Sequence, residues 1–216
     1  MASAARLRCY CYLDRLQPRY AAFLGTVIQG DLPVAGMAAV FVEVEPGLEI
    51  FRLVDVALKA SRARPGTQVI EREFGLLELH AAAPAEVQTA GQAVLAALGA
   101  SPGDQLLPAL TSLQVIPQVN AYQAQLLNRL RRGTTLPPGI TLLVAECVPA
   151  ALANLLANEA EKAANVDTIE VRGLGPYGRL WLAGTETEAL KAQAAIDATV
   201  AALRESLAAA PTPPPH

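Results

Sequence analysis

The chain is one unit written twice. Pro46 and Pro149 stand 103 positions apart, and the same offset pairs Gly30 with Gly133, Gly36 with Gly139, Glu43 with Glu146, Leu53 with Leu156, Lys59 with Lys162, Gly75 with Gly178 and Leu79 with Leu182. The register holds without a gap from Leu7 and Leu110 onward. Such self-similarity is read before any motif, because it fixes how many folded units share the chain. Several matches fall on glycine, proline and lysine, which mark turns and special surface positions. With 216 residues in all, each copy has about 100, enough to bury a core of its own. The expected division is a first domain over residues 6–101, a link over 102–109 containing Pro102, Gly103 and Pro108, a second domain over 110–208, and a proline-rich disordered tail over 209–216.

Each copy repeats one order of elements. Apolar alternation predicts an opening strand over Leu7–Leu13 and over Leu110–Ile116. A short helix follows, Pro18–Leu24 with proline in its first turn, and Asn120–Arg131 in the second copy. A turn with Pro33 and Gly36, or with Pro137, Pro138 and Gly139, leads to a buried strand, Ala38–Val44 or Ile140–Cys147. Ile50, Leu53, Val54, Ala57 and Leu58 then fall at helical spacing, as do Leu152, Leu155, Leu156 and Ala160, one apolar stripe per central helix. A hairpin comes next, within Thr67–Ala82 or Thr168–Ala183. A last helix closes each copy, Pro84–Leu98 or Glu186–Leu207, the latter with Thr185 or Thr187 as N-cap. The expected fold class is α+β: an antiparallel sheet with helices packed on it, duplicated in tandem.

Composition excludes several functions. A net charge of −3 supplies no basic surface for nucleic acid. No apolar run approaches the roughly 20 residues of a membrane span, and Met1–Leu7 lacks the apolar core of a secretory signal. A cytoplasmic chain is expected. Cys9, Cys11 and Cys147, with His80 and His216, form no metal-ligand spacing, so the thiols are read as reduced packing residues. His80 has no Ser or Cys partner suggested by spacing and reads as structural. Glu43 and Glu146 occupy equivalent strand positions, where hydrogen bonds to backbone at the strand end are expected.

The two hairpin tips differ. Glu71, Arg72 and Glu73, followed by Phe74 and Gly75, put three adjacent charges at the first. The second, Gly173-Leu174-Gly175-Pro176-Tyr177-Gly178, is nearly bare. Its glycines lack the Lys-Ser/Thr and the following helix of a phosphate loop, so a nucleotide site is not expected. The central helices end in Lys59-Ala60-Ser61-Arg62 and Lys162-Ala163-Ala164-Asn165. A lysine in a last turn suits the helix dipole, and the small residues after it permit a neighbour's backbone to come close.

These segments, with Leu13-Asp14-Arg15-Leu16-Gln17-Pro18, Ala157-Asn158-Glu159-Ala160-Glu161-Lys162 and Gly178-Arg179-Leu180-Trp181-Leu182-Ala183-Gly184, resemble the bacterial microcompartment shell proteins, in their tandem-domain, trimer-forming branch. The resemblance covers nearly the whole chain, from about Leu7 to Leu203. It implies a permuted shell domain in each half and a homotrimer whose six domains imitate a hexagonal tile. It implies tile edges at Lys59, Arg62, Lys162 and Asn165, and a pore gate at Glu71 and Arg72, with Glu73, Phe74 and Gly75 beside it and Gly173, Leu174, Gly175 and Pro176 as the second pore loop. Glu73 departs from the family's usual small residue. Stacked pairs of trimers, other shell proteins as partners, no cofactor, and a place in a microcompartment shell in the cytoplasm complete the expectation. The competing class is a tandem ferredoxin-like regulator or enzyme binding a small molecule at a subunit interface. An iron–sulfur relay would need a cysteine at a pore tip, and neither tip has one.

Overall fold

The computed structural model of the protein describes residues 5–209. The first domain comprises β1 (Arg6–Leu13), α1 (Pro18–Val27), β2 (Ala38–Glu45), α2 (Glu49–Ala60), β3 (Arg64–Glu71), β4 (Phe74–Ala81) and α3 (Pro84–Leu98). The second comprises β5 (Ala109–Ile116), α4 (Ala121–Asn128), β6 (Thr141–Val148), α5 (Leu152–Ala163), β7 (Asp167–Arg172), β8 (Gly178–Gly184) and α6 (Glu186–Ala209). Each domain has one four-stranded antiparallel sheet, in the orders β1-β2-β4-β3 and β5-β6-β8-β7.

The duplication reaches into the irregularities. Ladder shifts fall between Leu7 and Cys9 and between Leu110 and Ser112, and again between Pro65 and Thr67 and between Thr168 and Glu170. A bulge aims side chains, so equivalent bulges keep the two sheets facing alike. The offset slips by one residue only after the hairpins, where α3 begins at Pro84 and α6 at Glu186. Thr185 caps α6, its hydroxyl accepting from the Glu188 N–H.

One face of the first sheet presents Val40, Val42, Val44, Leu77 and Leu79 to Ile50, Leu53 and Ala57 of α2 and to Val87, Ala90 and Val94 of α3, all buried. The other face carries Cys9, Cys11, Leu13, Phe41 and Leu76, and these share one continuous core with Leu152, Leu155 and Leu156 of α5 in the second domain. The halves are therefore joined through apolar burial, the dominant favourable term in folding. All three cysteines are free and buried. Cys9 and Cys11 lie on one strand face with sulfurs 3.3 Å apart, and burial pushes the Cys147 thiol up to about 12. A thiol so displaced holds no reactive thiolate at neutral pH.

Two elements differ from expectation. α4 stops at Asn128 instead of reaching Arg131, because the Asn128 amide turns back to bind both the N–H and the carbonyl of Leu136 and the Arg131 guanidinium donates to the Gly133 carbonyl. The link between domains is not free: the Leu106 N–H donates to the Arg8 carbonyl and the Gln105 side chain accepts from the Tyr10 N–H, fastening the segment to β1. α6 extends through Ala209; the remainder of the expected tail, 210–216, lies outside the described residues.

Candidate pore hairpins and the joint between domains

The first hairpin pairs Glu71 with Phe74 across a two-residue turn, Arg72-Glu73. Arg72 closes it at φ 56°. A left-handed residue without glycine is uncommon, yet the repeat-equivalent position in the second hairpin, Gly175, is also at positive φ, 109°. The tips differ in form: the first is a two-residue turn, whereas β7 ends at Arg172 and β8 begins at Gly178, leaving a longer loop between them. They also meet: a Cβ added to Gly175 would stand 3.6 Å from both carboxylate oxygens of Glu71. Phe74 lies beneath, buried, with the Arg8 guanidinium 3.9 Å above its ring centre. Gly75 is no hinge. It is buried, and a Cβ there would collide with the carbonyl of Gly47, as one on Gly178 would with that of Ala150. Both glycines serve close backbone packing at the foot of a hairpin. Gly173 does the same against the Asn154 amide, with Leu174 half-buried beside it.

Between the domains runs a polar seam set into the apolar core. Glu43 of β2 is fully buried and accepts from the Arg8 guanidinium and, across the joint, from the N–H of Ala151 at the start of α5, both at 2.8 Å. Burial raises its pKa, opposed by these two donors. Asn154, Asn158 and Glu161 continue the seam along α5. Asn154 accepts from the Tyr20 hydroxyl. Asn158 accepts from the Gln17 N–H and donates to the Arg15 carbonyl. The two oxygens of Glu161 accept from the N–H groups of Arg19 and Tyr20. The N-cap residue of α1, Gln17, makes no side-chain cap, so Glu161 satisfies its orphan donors from the other domain, where a negative charge also suits the helix dipole. Sequence reasoning missed this seam. Its signal was the spacing i, i+4, i+7 of Asn154, Asn158 and Glu161 on an otherwise alanine- and leucine-rich helix.

The equivalent lysines have unlike surroundings. Lys59 is exposed and pairs with Asp55 one turn away at 2.6 Å. Lys162 is held between Asp14 of the first domain and Glu159, both at 2.8 Å. Desolvation opposes its charge, but those two partners outweigh it and its pKa is raised. Asn165 accepts from Arg19, and both it and Arg62 donate a backbone N–H to a helix-start glutamate, Glu188 and Glu86. Glu146, in contrast to Glu43, meets only side chains, those of Thr111 and Arg179. His80 is buried between two carboxylates, Nδ1 3.0 Å from Glu78 and Nε2 3.1 Å from Asp31, while Glu78 also accepts from the Gly66 N–H. No nucleophile belongs to this cluster. No group of three or more His, Cys, Asp and Glu able to hold a metal occurs among the described residues, nor any helix long and apolar enough to cross a membrane.

A fused permuted hexameric shell protein of the RMM microcompartment superposes on this chain with a TM-score of 0.89 at 41% identity, over 92% of this chain and 98% of that one. A double ringed trimeric shell protein of the same microcompartment gives 0.88 at 38% identity, over 92% and 97%. Two permuted domains in tandem, joined through a shared core with their hairpins side by side, therefore define the class: a fused microcompartment shell protein. Residues 7–104 match the CsoS1D N-terminal domain. The carboxysome shell protein CcmP of Synechococcus elongatus is 50% identical over 197 residues, 91% of each chain, and the carboxysome shell protein CsoS1D of Hydrogenovibrio crunogenus is 40% identical over 190 residues, 86% of this chain and 93% of the other. The chain belongs to this family of tandem-domain microcompartment shell proteins. Its relatives are structural components of a shell, and the ferredoxin-like regulator is not favoured.

Proposed function

We propose that three copies of the chain close into a six-domain ring that tiles a microcompartment facet, carries a gated pore on its three-fold axis and performs no catalysis of its own. The observation that carries this reading is the nearness of the two tips, since a Cβ added to Gly175 would stand 3.6 Å from the Glu71 carboxylate. A charged tip and a bare tip side by side in each chain would, in a ring of three, alternate around one axis.

Three Glu71 and three Arg72 there form rings of opposite charge, which select solutes by charge and diameter as channel constrictions do. Arg72 paired with a neighbour's Glu71 closes the hole; swung outward, the tips leave an opening lined by backbone. The mobile part is the turn from Glu71 to Glu73 and the loop from Leu174 to Pro176, since Gly75 and Gly173 are packed in place. Lys59 with Arg62, and Lys162 with Asn165, form the edges along which tiles meet each other and other shell proteins, single-domain hexamers and pentamers. Two trimers stacked face to face would enclose a chamber. Sedimentation of the purified protein, followed by electron microscopy, tests the reading: trimers that grow into flat hexagonal arrays are expected, whereas monomers or dimers that bind a small molecule stoichiometrically would contradict it.

A further inference from the structure

The two copies fasten the same loop with different chemistry. In each domain the loop after the first helix lies along an edge strand, β3 or β7. The Gly30 and Asp31 N–H groups donate to the carbonyls of Gly66 and Pro65, and the repeat-equivalent Gly133 and Thr134 N–H groups donate to those of Ile169 and Thr168. A fully buried glutamate backs each fastening, but from a different position. In the second domain it is Glu170, which accepts from the Arg132 N–H at 2.7 Å and from the Arg132 guanidinium at 2.8 and 3.0 Å. In the first it is Glu78, which accepts from the Gly66 N–H at 3.0 Å and meets His80 at 3.0 Å. The equivalents of Arg132 and Glu170 are Gln29 and Thr67, and those of Glu78 and His80 are Trp181 and Ala183. One buried carboxylate is thus neutralised by a guanidinium, which keeps its charge throughout, and the other by an imidazole, which does not.

A proton count separates the two fastenings further. His80 touches a carboxylate with each ring nitrogen, Nδ1 with Glu78 and Nε2 with Asp31 at 3.1 Å. A neutral imidazole carries one N–H and cannot donate to both. The two contacts together need one proton more than a carboxylate and a neutral imidazole hold, and the count is the same whether that proton is drawn on His80 or on Glu78. When it leaves, one contact must go. Glu78 has no exposed surface and still binds the Gly66 N–H, so it keeps the remaining imidazole N–H, and the Nε2 lone pair then faces the second carboxylate. Asp31, whose side chain is 49% exposed, turns into water. The neighbouring strands place Arg64, which is exposed, and the uncharged Ala39 opposite His80. From α1, buried Tyr20 lies near Glu78 with its hydroxyl given to Asn154, and burial holds its pKa well above the ordinary value. Neither Arg64 nor Tyr20 changes charge near neutral pH, so the proton shared by Glu78 and His80 decides the state. Burial weakens the hold of the imidazole on that proton, but Glu78 and then Asp31 outweigh it and keep the pKa above the ordinary histidine value.

We infer that Asp31, His80 and Glu78 form a pH-sensitive clasp, which pins residues 28–37 to the foot of β3 while the Glu78 and His80 pair holds its extra proton and opens when that proton leaves. The Arg132 and Glu170 fastening of residues 131–140 stays shut. The first domain is then the responsive half of the chain, and the strand that the clasp loosens is the one that ends in Glu71. The released loop carries Leu32 and Val34, both exposed. The clasp is complete within one chain and does not depend on the closing of a ring.

The test is hydrogen exchange of the full chain, followed by mass spectrometry across a pH series and corrected for intrinsic exchange, with residues 131–140 as the internal reference. Loss of a hydrogen bond between charged groups raises the open fraction by at least about tenfold. Residues 28–37 should therefore exchange at least about tenfold faster once pH has passed the titration of His80, while the reference stays level. Two histidines occur in the sequence, His80 and His216; isotopically labelled histidine gives the titration of each by NMR, and His216→Gln assigns them. Asp31→Asn alters a half-exposed side chain, so the variant is expected to fold. Its amide can donate to a neutral Nε2, so the contact outlives the proton: exchange of residues 28–37 should lose its pH step, and His80 should titrate at lower pH. Two loops that respond alike, or an Asp31→Asn variant that keeps the wild-type step, would overturn the clasp. So would a titration of His80 that leaves the exchange of residues 28–37 unchanged.

Discussion

Gly175 stands where an added Cβ would lie 3.6 Å from both carboxylate oxygens of Glu71, so the charged tip of one domain lies beside the bare tip of the other. The left-handed backbone at Gly175, φ 109°, suits glycine alone. Gly175→Ala should therefore cost about 1–2 kcal/mol, read as a lowered midpoint in urea unfolding, while Glu71 keeps its place, because a Cβ there would meet it at ordinary van der Waals distance.

Replacing both Glu71 and Arg72 by alanine should leave trimers and their stability unchanged, because neither side chain belongs to the core. The closed form of the pore should vanish. High-resolution electron microscopy of the variant checks this: an axis as sealed as in the wild type would remove the gate from these residues.

The polar seam should matter more to stability than any surface pair. Glu43→Ala leaves Arg8 without its fully buried partner and the Ala151 N–H without its acceptor, and breaking a buried pair on one side costs about 3–5 kcal/mol. Glu161→Ala strips the cap from α1 and should cost about 1–2 kcal/mol. Urea unfolding measures both; equal small losses would mean that the seam does not hold the domains together.

The His80 cluster predicts a pH dependence. Burial pulls the imidazole pKa down, but the hydrogen bond and charge of Glu78, then those of Asp31, outweigh it and the pKa rises above 6.5. Burial also raises the pKa of Glu78, offset only in part by His80. The folded cluster holds protons more tightly than the unfolded chain, so its contribution is complete below the ordinary histidine value and is lost as pH climbs through the raised one. The stability difference between wild type and His80→Gln should shrink as pH rises above the ordinary histidine range and through the raised value. A constant difference would contradict the assignment.

The tile edge separates the two lysines. Lys59→Ala removes a surface pair worth at most about 1 kcal/mol, so it should abolish flat arrays while sparing the trimer. Lys162→Ala should impair arrays and also loosen the joint, because Lys162 binds Asp14 of the first domain. Unchanged arrays from the double variant by electron microscopy would refute the edge.

Much of this was legible in the chain itself. The repeat, every strand, the α-helices apart from the end of α4, and the two hairpins follow from patterns that act over a few residues: the alternation in Ala38–Glu45, the helical stripe through Ile50, Leu53 and Ala57, the charges of Glu71 to Glu73. What stayed hidden acts between distant segments. Cys9 and Cys11 read as ordinary strand residues, yet their face packs on α5 from the other domain. Gly75, expected beside the gate, is also a packing position, which only the fold reveals by bringing Gly47 against it. Glu161, one charge among several in a helix, becomes a cap only once α1 lies in front of it. The equality of Lys59 and Lys162 was likewise one of sequence, since Asp14 approaches only the second.

The most direct test of the whole account is a reconstruction of the purified wild-type protein by electron cryomicroscopy. A three-fold ring with the Glu71–Arg72 turns and the Gly173–Pro176 loops alternating around its central axis is the result this account predicts. An assembly whose tips point to the rim, away from every symmetry axis, would contradict it.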